Sequence, residues 1–164
     1  MRITAKNSSL AISLAALLPL MESCATGPTF TQAHATEQPL RPSYARLYFY
    51  RPGHAIAVGL IGSIKVDGER AGRMISGSFF YIDKPPGIHK IVVSGGEETS
   101  IEAALVAGQT RYVRLDLLSR ELPYGSYKLS PTLIDAEQGY EEIKGCRLDA
   151  KAATGSTIPV LLGQ

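Results

Sequence analysis

Tryptophan is missing from this chain of 164 residues, and cysteine occurs only at Cys24 and Cys146. Two cysteines are too few for a disulfide scaffold or a cysteine-rich metal site. Histidine occurs three times, at His34, His54 and His89, with no H-E-x-x-H run and no paired Cys/His spacing. No metal is therefore expected. Charge of one sign is equally scarce. The formal net charge is +2, with no run of like charges, which argues against a nucleic-acid partner. There is no G-x-S-x-G elbow and no G-x-G-x-x-G loop. Asp67 and Glu69 flank a turn, where solvation is the ordinary fate of two acids, so they are not read as a catalytic pair. Cys146 follows a helix end whose dipole disfavours a thiolate, so it is not read as a nucleophile. No catalytic residue and no cofactor is expected. Finally, no apolar run approaches the roughly 20 residues that a helix needs to cross a bilayer.

What is present begins at the N-terminus. Arg2 and Lys6 precede an apolar run over residues 10–21, and small or polar residues follow. That order is a signal peptide, residues 1–23, too short to be a membrane span. Ser23 immediately before Cys24 reads as a lipoprotein cleavage site, with Cys24 lipidated and becoming the first residue. Met21 stands where leucine is usual, and Glu22 is atypical. Ala33-His34-Ala35 offers a rival site for ordinary secretion into the periplasm, although it lies far past the apolar run. With lipid on Cys24 the two cysteines cannot pair, and Cys146 is left as a small buried thiol. By the sorting rule of Gram-negative lipoproteins, Ala25 rather than aspartate after the cysteine implies the outer membrane. The expected partner there is the membrane itself, through the lipid. Residues 24–44 are rich in Thr, Ala, Gln and Pro and read as a flexible tether.

From Ala45 the hydrophobic period becomes two. Ala45, Leu47 and Phe49 alternate with Arg46, Tyr48 and Tyr50 in a first strand that ends at Arg51-Pro52-Gly53. Two runs, 61–66 and 70–74, flank Asp67-Gly68, which predicts a type I′ hairpin. Residues 79–83 and 88–94 flank the Lys84-Pro85-Pro86-Gly87 turn. Runs 99–106 and 110–117 predict a further hairpin around Ala107-Gly108-Gln109. A last strand is expected over 127–133. Asp135 then caps a short helix over 136–144, with Tyr140 and Ile143 as core contacts and Gly145 at its end. Residues 149–164 read as a loose tail. The chain is thus mainly β, a small antiparallel β-sandwich over 45–148 with one short C-terminal helix. Phe79, Phe80 and Tyr81 place aromatics on both faces of one strand, which suggests that at least one is exposed. Residues 53–62 admit two readings. Either they extend a strand into the core, or His54, Ile56, Val58 and Leu60 form an apolar loop that docks a partner.

The runs Leu47-Tyr48-Phe49-Tyr50-Arg51-Pro52, Ile64-Lys65-Val66-Asp67-Gly68 and Gly77-Ser78-Phe79-Phe80-Tyr81 resemble the DUF2846 family of small bacterial envelope lipoproteins. Pro85-Pro86-Gly87-Ile88-His89 and the segment Gly139-Tyr140-Glu141-Glu142-Ile143-Lys144-Gly145-Cys146-Arg147-Leu148 resemble it too. The middle part is similar to PEGA modules, small β-sandwiches used for surface display or binding. The resemblance brings no catalytic residues. It implies a non-enzymatic outer-membrane lipoprotein facing the periplasm, a binding or structural module of the envelope that meets a protein or glycan. An immunity or inhibitor lipoprotein that neutralises a periplasmic toxin, and a small envelope hydrolase, are the competing expectations.

Overall fold

The computed structural model describes residues 25–119, 127–149 and 151–152. The signal peptide, the Ser23–Cys24 cleavage site and most of the C-terminal tail lie outside these residues. In chain order the elements are α1 (Phe30–His34), β1 (Ala45–Arg51), β2 (Gly62–Val66), β3 (Glu69–Met74), β4 (Ser78–Lys84), β5 (Gly87–Ser94), β6 (Thr99–Leu105), β7 (Thr110–Ser119), β8 (Tyr127–Ile134), α2 (Ala136–Ile143) and β9 (Arg147–Leu148). The strands form two packed sheets, ordered β8-β7-β1-β4-β9 and β3-β2-β5-β6. The chain is mainly β, a sandwich, as the alternation implies.

Local chemistry sets the turns. Asp67 (φ 55°) and Gly68 (φ 82°) both sit in the left-handed region, as a type I′ hairpin requires. Asp135 caps α2 by accepting from the Gln138 amide. Between the sheets, Leu47, Phe49, Phe80, Val113 and Leu115 meet Ile64, Val66, Ile91 and Val93 in one apolar cluster. Phe49 and Phe80 are register partners, their rings stacked at 5.1 Å.

Several expectations need correction. The hairpin around Ala107-Gly108-Gln109 does not form: β6 ends one sheet and β7 enters the other, in parallel pairing with β1. The loop is tied instead to the start of β1, where Gly108 N–H donates to Tyr44 O (2.8 Å) and Arg46 N–H to Gln109 O (2.9 Å). With β4 and β9 also parallel, the five-stranded sheet is mixed, and only the four-stranded one is antiparallel.

The second correction concerns residues 25–44, where composition suggests a tether and the structure has a docked strap. Thr29 and Gln32 form a capping box that starts α1, a second helix beside the expected one. Phe30, 1% exposed, enters a cluster with Tyr48, Tyr50, Phe79, Tyr112, Ile134, Ile143 and Cys146. The strap also bonds to the β9 segment through Phe30 N–H to Cys146 O (3.3 Å) and Leu148 N–H to Pro28 O (2.8 Å).

The strap and α2 together cover the outer face of the five-stranded sheet. Every residue of β1 is consequently buried. The same cover buries Phe79 and half-buries Tyr81, while Phe80 is buried between the sheets, so none of the three is exposed. That face needs a cover because Tyr48, Tyr50, Phe79 and Tyr112 stand on it. Within α2, Ile143 is a core residue, whereas Tyr140 stays 40% exposed and meets the Phe30 ring edge-on.

Lastly, the tail is not loose at its start. Asp149 N–H donates to Phe79 O (3.1 Å), and Ala152 is fully buried.

Candidate functional site

Covering a sheet with a strap leaves a seam, and here the seam opens into a polar cleft. Its walls are His34, Glu37, Gln38, Pro39 and Leu40 of the strap, Arg46 and Tyr48 of β1, Thr110 and Tyr112 of β7, and Tyr140 of α2. Its volume is about 380 Å³, within the range of small-ligand sites.

Arg46 organises the floor. It points outward from β1 by strand alternation, yet it is only 3% exposed because the strap lies over it. Its Nε donates to Asp83 Oδ1 (2.8 Å) and Nη2 to Asp83 Oδ2 (3.0 Å), its register partner on β4. Nη2 also donates to Gln38 O (2.9 Å), and Nη1 lies 2.8 Å from Glu37 Oε1. The guanidinium rests over the Tyr81 ring at 4.3 Å. Burial alone would push this arginine toward losing its charge. The hydrogen bond to Asp83 and the charges of Glu37 and Asp83 outweigh that, and its pKa is raised.

Glu37 is shared. Its Oε2 accepts from the Tyr48 hydroxyl (2.5 Å), and its Oε1 lies 2.9 Å from His34 Nδ1. Burial and then the bond to Glu37 drive the Tyr48 pKa far upward, so Tyr48 is a neutral donor. Arg46 is thus held between two carboxylates, Glu37 and Asp83, which leaves the acids one charge in excess.

One polar group is left over. Tyr112 is 5% exposed, and its ring stacks on Tyr48 at 5.4 Å. Burial first, then Glu37 and Tyr140, push its pKa up to about 12. Its hydroxyl has no hydrogen-bond partner among the described residues, and the side chain lines the cleft. The oxygen itself is accessible from the cleft, where it can bond water or a ligand.

The residues singled out by sequence reasoning lie elsewhere. In the 53–61 loop His54 and Ile56 are exposed, Val58 is half-buried, and Leu60 packs against the core. The loop is held by Arg51, wholly buried, whose guanidinium donates to Ala57 O (2.9 Å) and Leu60 O (2.5 Å). The stretch does not extend a strand: Leu60 joins the core from a loop, and Ile56 is 60% exposed. None of the four reaches the cleft. His89 is a structural clamp between two turns, with Nδ1 2.7 Å from Asp67 Oδ2 and Nε2 2.9 Å from Pro85 O. Glu69 is exposed and lies 3.7 Å from Lys84. Cys146 is buried, and burial, then Glu142, push its thiol up to about 12. Among the described residues, no group of three or more acids, histidines or cysteines is placed to hold a metal ion. None of the described helices is long and apolar enough to cross a membrane.

Sequence reasoning missed Glu37, Arg46, Tyr48 and Tyr112. One signal was available: an arginine within a run of apolar strand residues needs a buried acid, and Asp83 stands opposite on the neighbouring strand. Glu37 had no such signal, because only the docking of the strap brings it to Arg46.

The fold and cleft define a β-sandwich with a strapped polar pocket. Residues 41–126 match the family model described as protein of unknown function (DUF2846), and the chain belongs to that family. No curated protein and no solved structure is similar enough to match.

Proposed function

We propose that this protein is an envelope lipoprotein that binds a ligand and does not transform it. It is moored through lipid on Cys24 to the periplasmic face of the outer membrane. The cleft between strap and sheet is its binding site, and the ligand class is a neutral, hydroxyl-rich molecule such as a sugar unit of an envelope glycan. The observation that carries this reading is the Tyr112 hydroxyl, an unpartnered donor that opens onto a cleft whose one arginine is already held by two carboxylates. An anionic ligand would have to displace Glu37 or Asp83 from Arg46. A neutral polyol needs only Tyr112 and the rim, with the rings of Tyr140 and His34 to stack against.

The test is titration of the protein with a panel of neutral and N-acetylated oligosaccharides, followed by NMR. Binding should perturb Tyr112 and Tyr140, and Tyr112→Phe should weaken it roughly five- to tenfold, the worth of one hydrogen bond of about 1 kcal/mol. Perturbation confined to the 53–61 loop, or none, would refute the cleft as the site. Release of reducing ends from the panel would instead favour the hydrolase. The mooring is tested by palmitate labelling, which must vanish in Cys24→Ala.

A further inference from the structure

We infer that the domain lies directly on the bilayer, with the edge formed by β9 and β3 facing the lipid. This inference rests on the mooring through Cys24 proposed above. A lipoprotein usually swings on a spacer, but no spacer is left here. Ala25, the residue after Cys24, is 6% exposed. Gly27 O accepts from Arg147 Nη1 (3.2 Å), Thr29 bridges to Arg147, and Pro28 O accepts from the Leu148 amide. The strap thus runs along β9, and lipid on Cys24 is attached at that edge of the sandwich.

The topology identifies the edge and its opposite. β9 ends the five-stranded sheet and β3 the four-stranded one, with β3 lying against β4. The segment after β9 crosses between the two sheets, since Arg73 N–H donates to Ala152 O (3.1 Å). At the far side, β8 and β6 end the same two sheets and pack together.

Charge follows the same axis. The mooring edge exposes Arg70, Arg147 and Lys151, with Arg73 partly exposed. Its acids are Glu69, exposed on β3, and Asp149, which is buried and lies 3.4 Å from Arg73. The far edge exposes Glu97, Glu98 and Glu102, with Lys128 3.4 Å from Glu97. A basic edge beside the lipid attachment and an acidic edge away from it orient the domain on an anionic surface, because the attraction acts within a Debye length.

The experiment uses the full chain, purified from membranes and reconstituted in phosphatidylethanolamine–phosphatidylglycerol vesicles carrying a lipid-borne quencher. Fluorophores are placed through Lys151→Cys or Glu102→Cys, since Cys146 is buried and lipid blocks Cys24. Quenching should be several-fold stronger at position 151 than at 102. A flexible insert of about ten residues after Cys24 should shrink that difference. Equal quenching at both positions, with palmitate present on Cys24, overturns the orientation and leaves the mooring intact. Absence of palmitate on Cys24 in the unaltered chain overturns the mooring, and the orientation with it.

Discussion

Replacing Phe30 with alanine is the sharpest probe of how the strap is held. The ring is 1% exposed and sits edge-on to Tyr48, Phe79 and Tyr140 at 5.4–5.6 Å, with His34 stacked at 5.2 Å. Phe→Ala in a packed core costs about 3–5 kcal/mol, from lost transfer energy and the cavity left behind. Here the loss has a ceiling. α1 has only five residues, far too few to be helical by itself. Once the ring is gone the strap can leave, and the rest of the sandwich then unfolds no more easily than a strapless domain. The expected loss is therefore about 3 kcal/mol in urea denaturation, at the low end of that range. The second readout is hydrogen exchange. The Phe30 and Leu148 amides, which donate to Cys146 O and Pro28 O, should lose protection while those of β2 and β5 keep theirs. A loss under about 1 kcal/mol with unchanged exchange at Leu148 would refute the docked strap.

Three further outcomes are expected. In Gly139→Ala the new Cβ would stand 2.5 Å from the Tyr112 Cβ, so α2 must shift, and the urea midpoint should fall by the equivalent of about 1–3 kcal/mol; an unchanged midpoint would mean the helix is not seated on Tyr112. Burial tends to raise the Glu142 carboxyl, but the Tyr50 hydroxyl, the Gln138 amide and Arg114 outweigh it and hold it below the ordinary value for a glutamate. Because the folded pKa is the lower one, this stabilisation is complete above that value and disappears as pH falls through the folded pKa. Glu142→Gln should flatten the acid limb of stability against pH, and a limb as steep as in the unaltered protein would count against the triad. Cys146, buried and with its thiol up to about 12, should resist maleimide in native protein and react once urea unfolds it; rapid labelling without denaturant would contradict its burial.

The strands were legible because each is short, alternating and bounded by a turn with its own chemistry. Asp67-Gly68 is the clearest case, since the residue pair dictates the turn and the turn dictates the register. What local pattern does not carry is which sheet a strand joins. Ala107-Gly108-Gln109 is a good tight connection, yet it leads β7 to β1 and not back to β6, a choice made by distant packing. Residues 25–44 were misread for a related reason. Their average composition is that of a linker, while their docking depends on one phenylalanine and one glutamate. The Thr29-Phe30-Thr31-Gln32 capping box was readable and marks α1. The aromatics of β4 gave a true signal with the wrong inference drawn from it: two apolar faces on a strand mean a second covering layer, not an exposed ring. The cleft was the least legible part, because it exists only where that layer meets the sheet.

The place of β1 bears on how the chain comes together. It is the first strand in sequence and the middle strand of its sheet, paired with β4 on one side and with β7 on the other. Emerging N-terminus first, β1 has only one flank closed until Thr110–Ser119 has followed, and the strap has no β9 to lie against until Leu148 arrives. Pairings over such separations close slowly and together. The two ends of the described chain are thus latched last and in one event. A chain cut short before Leu148 would lose the strap as well as its missing end, which makes docking of the strap a built-in mark of a completely delivered domain.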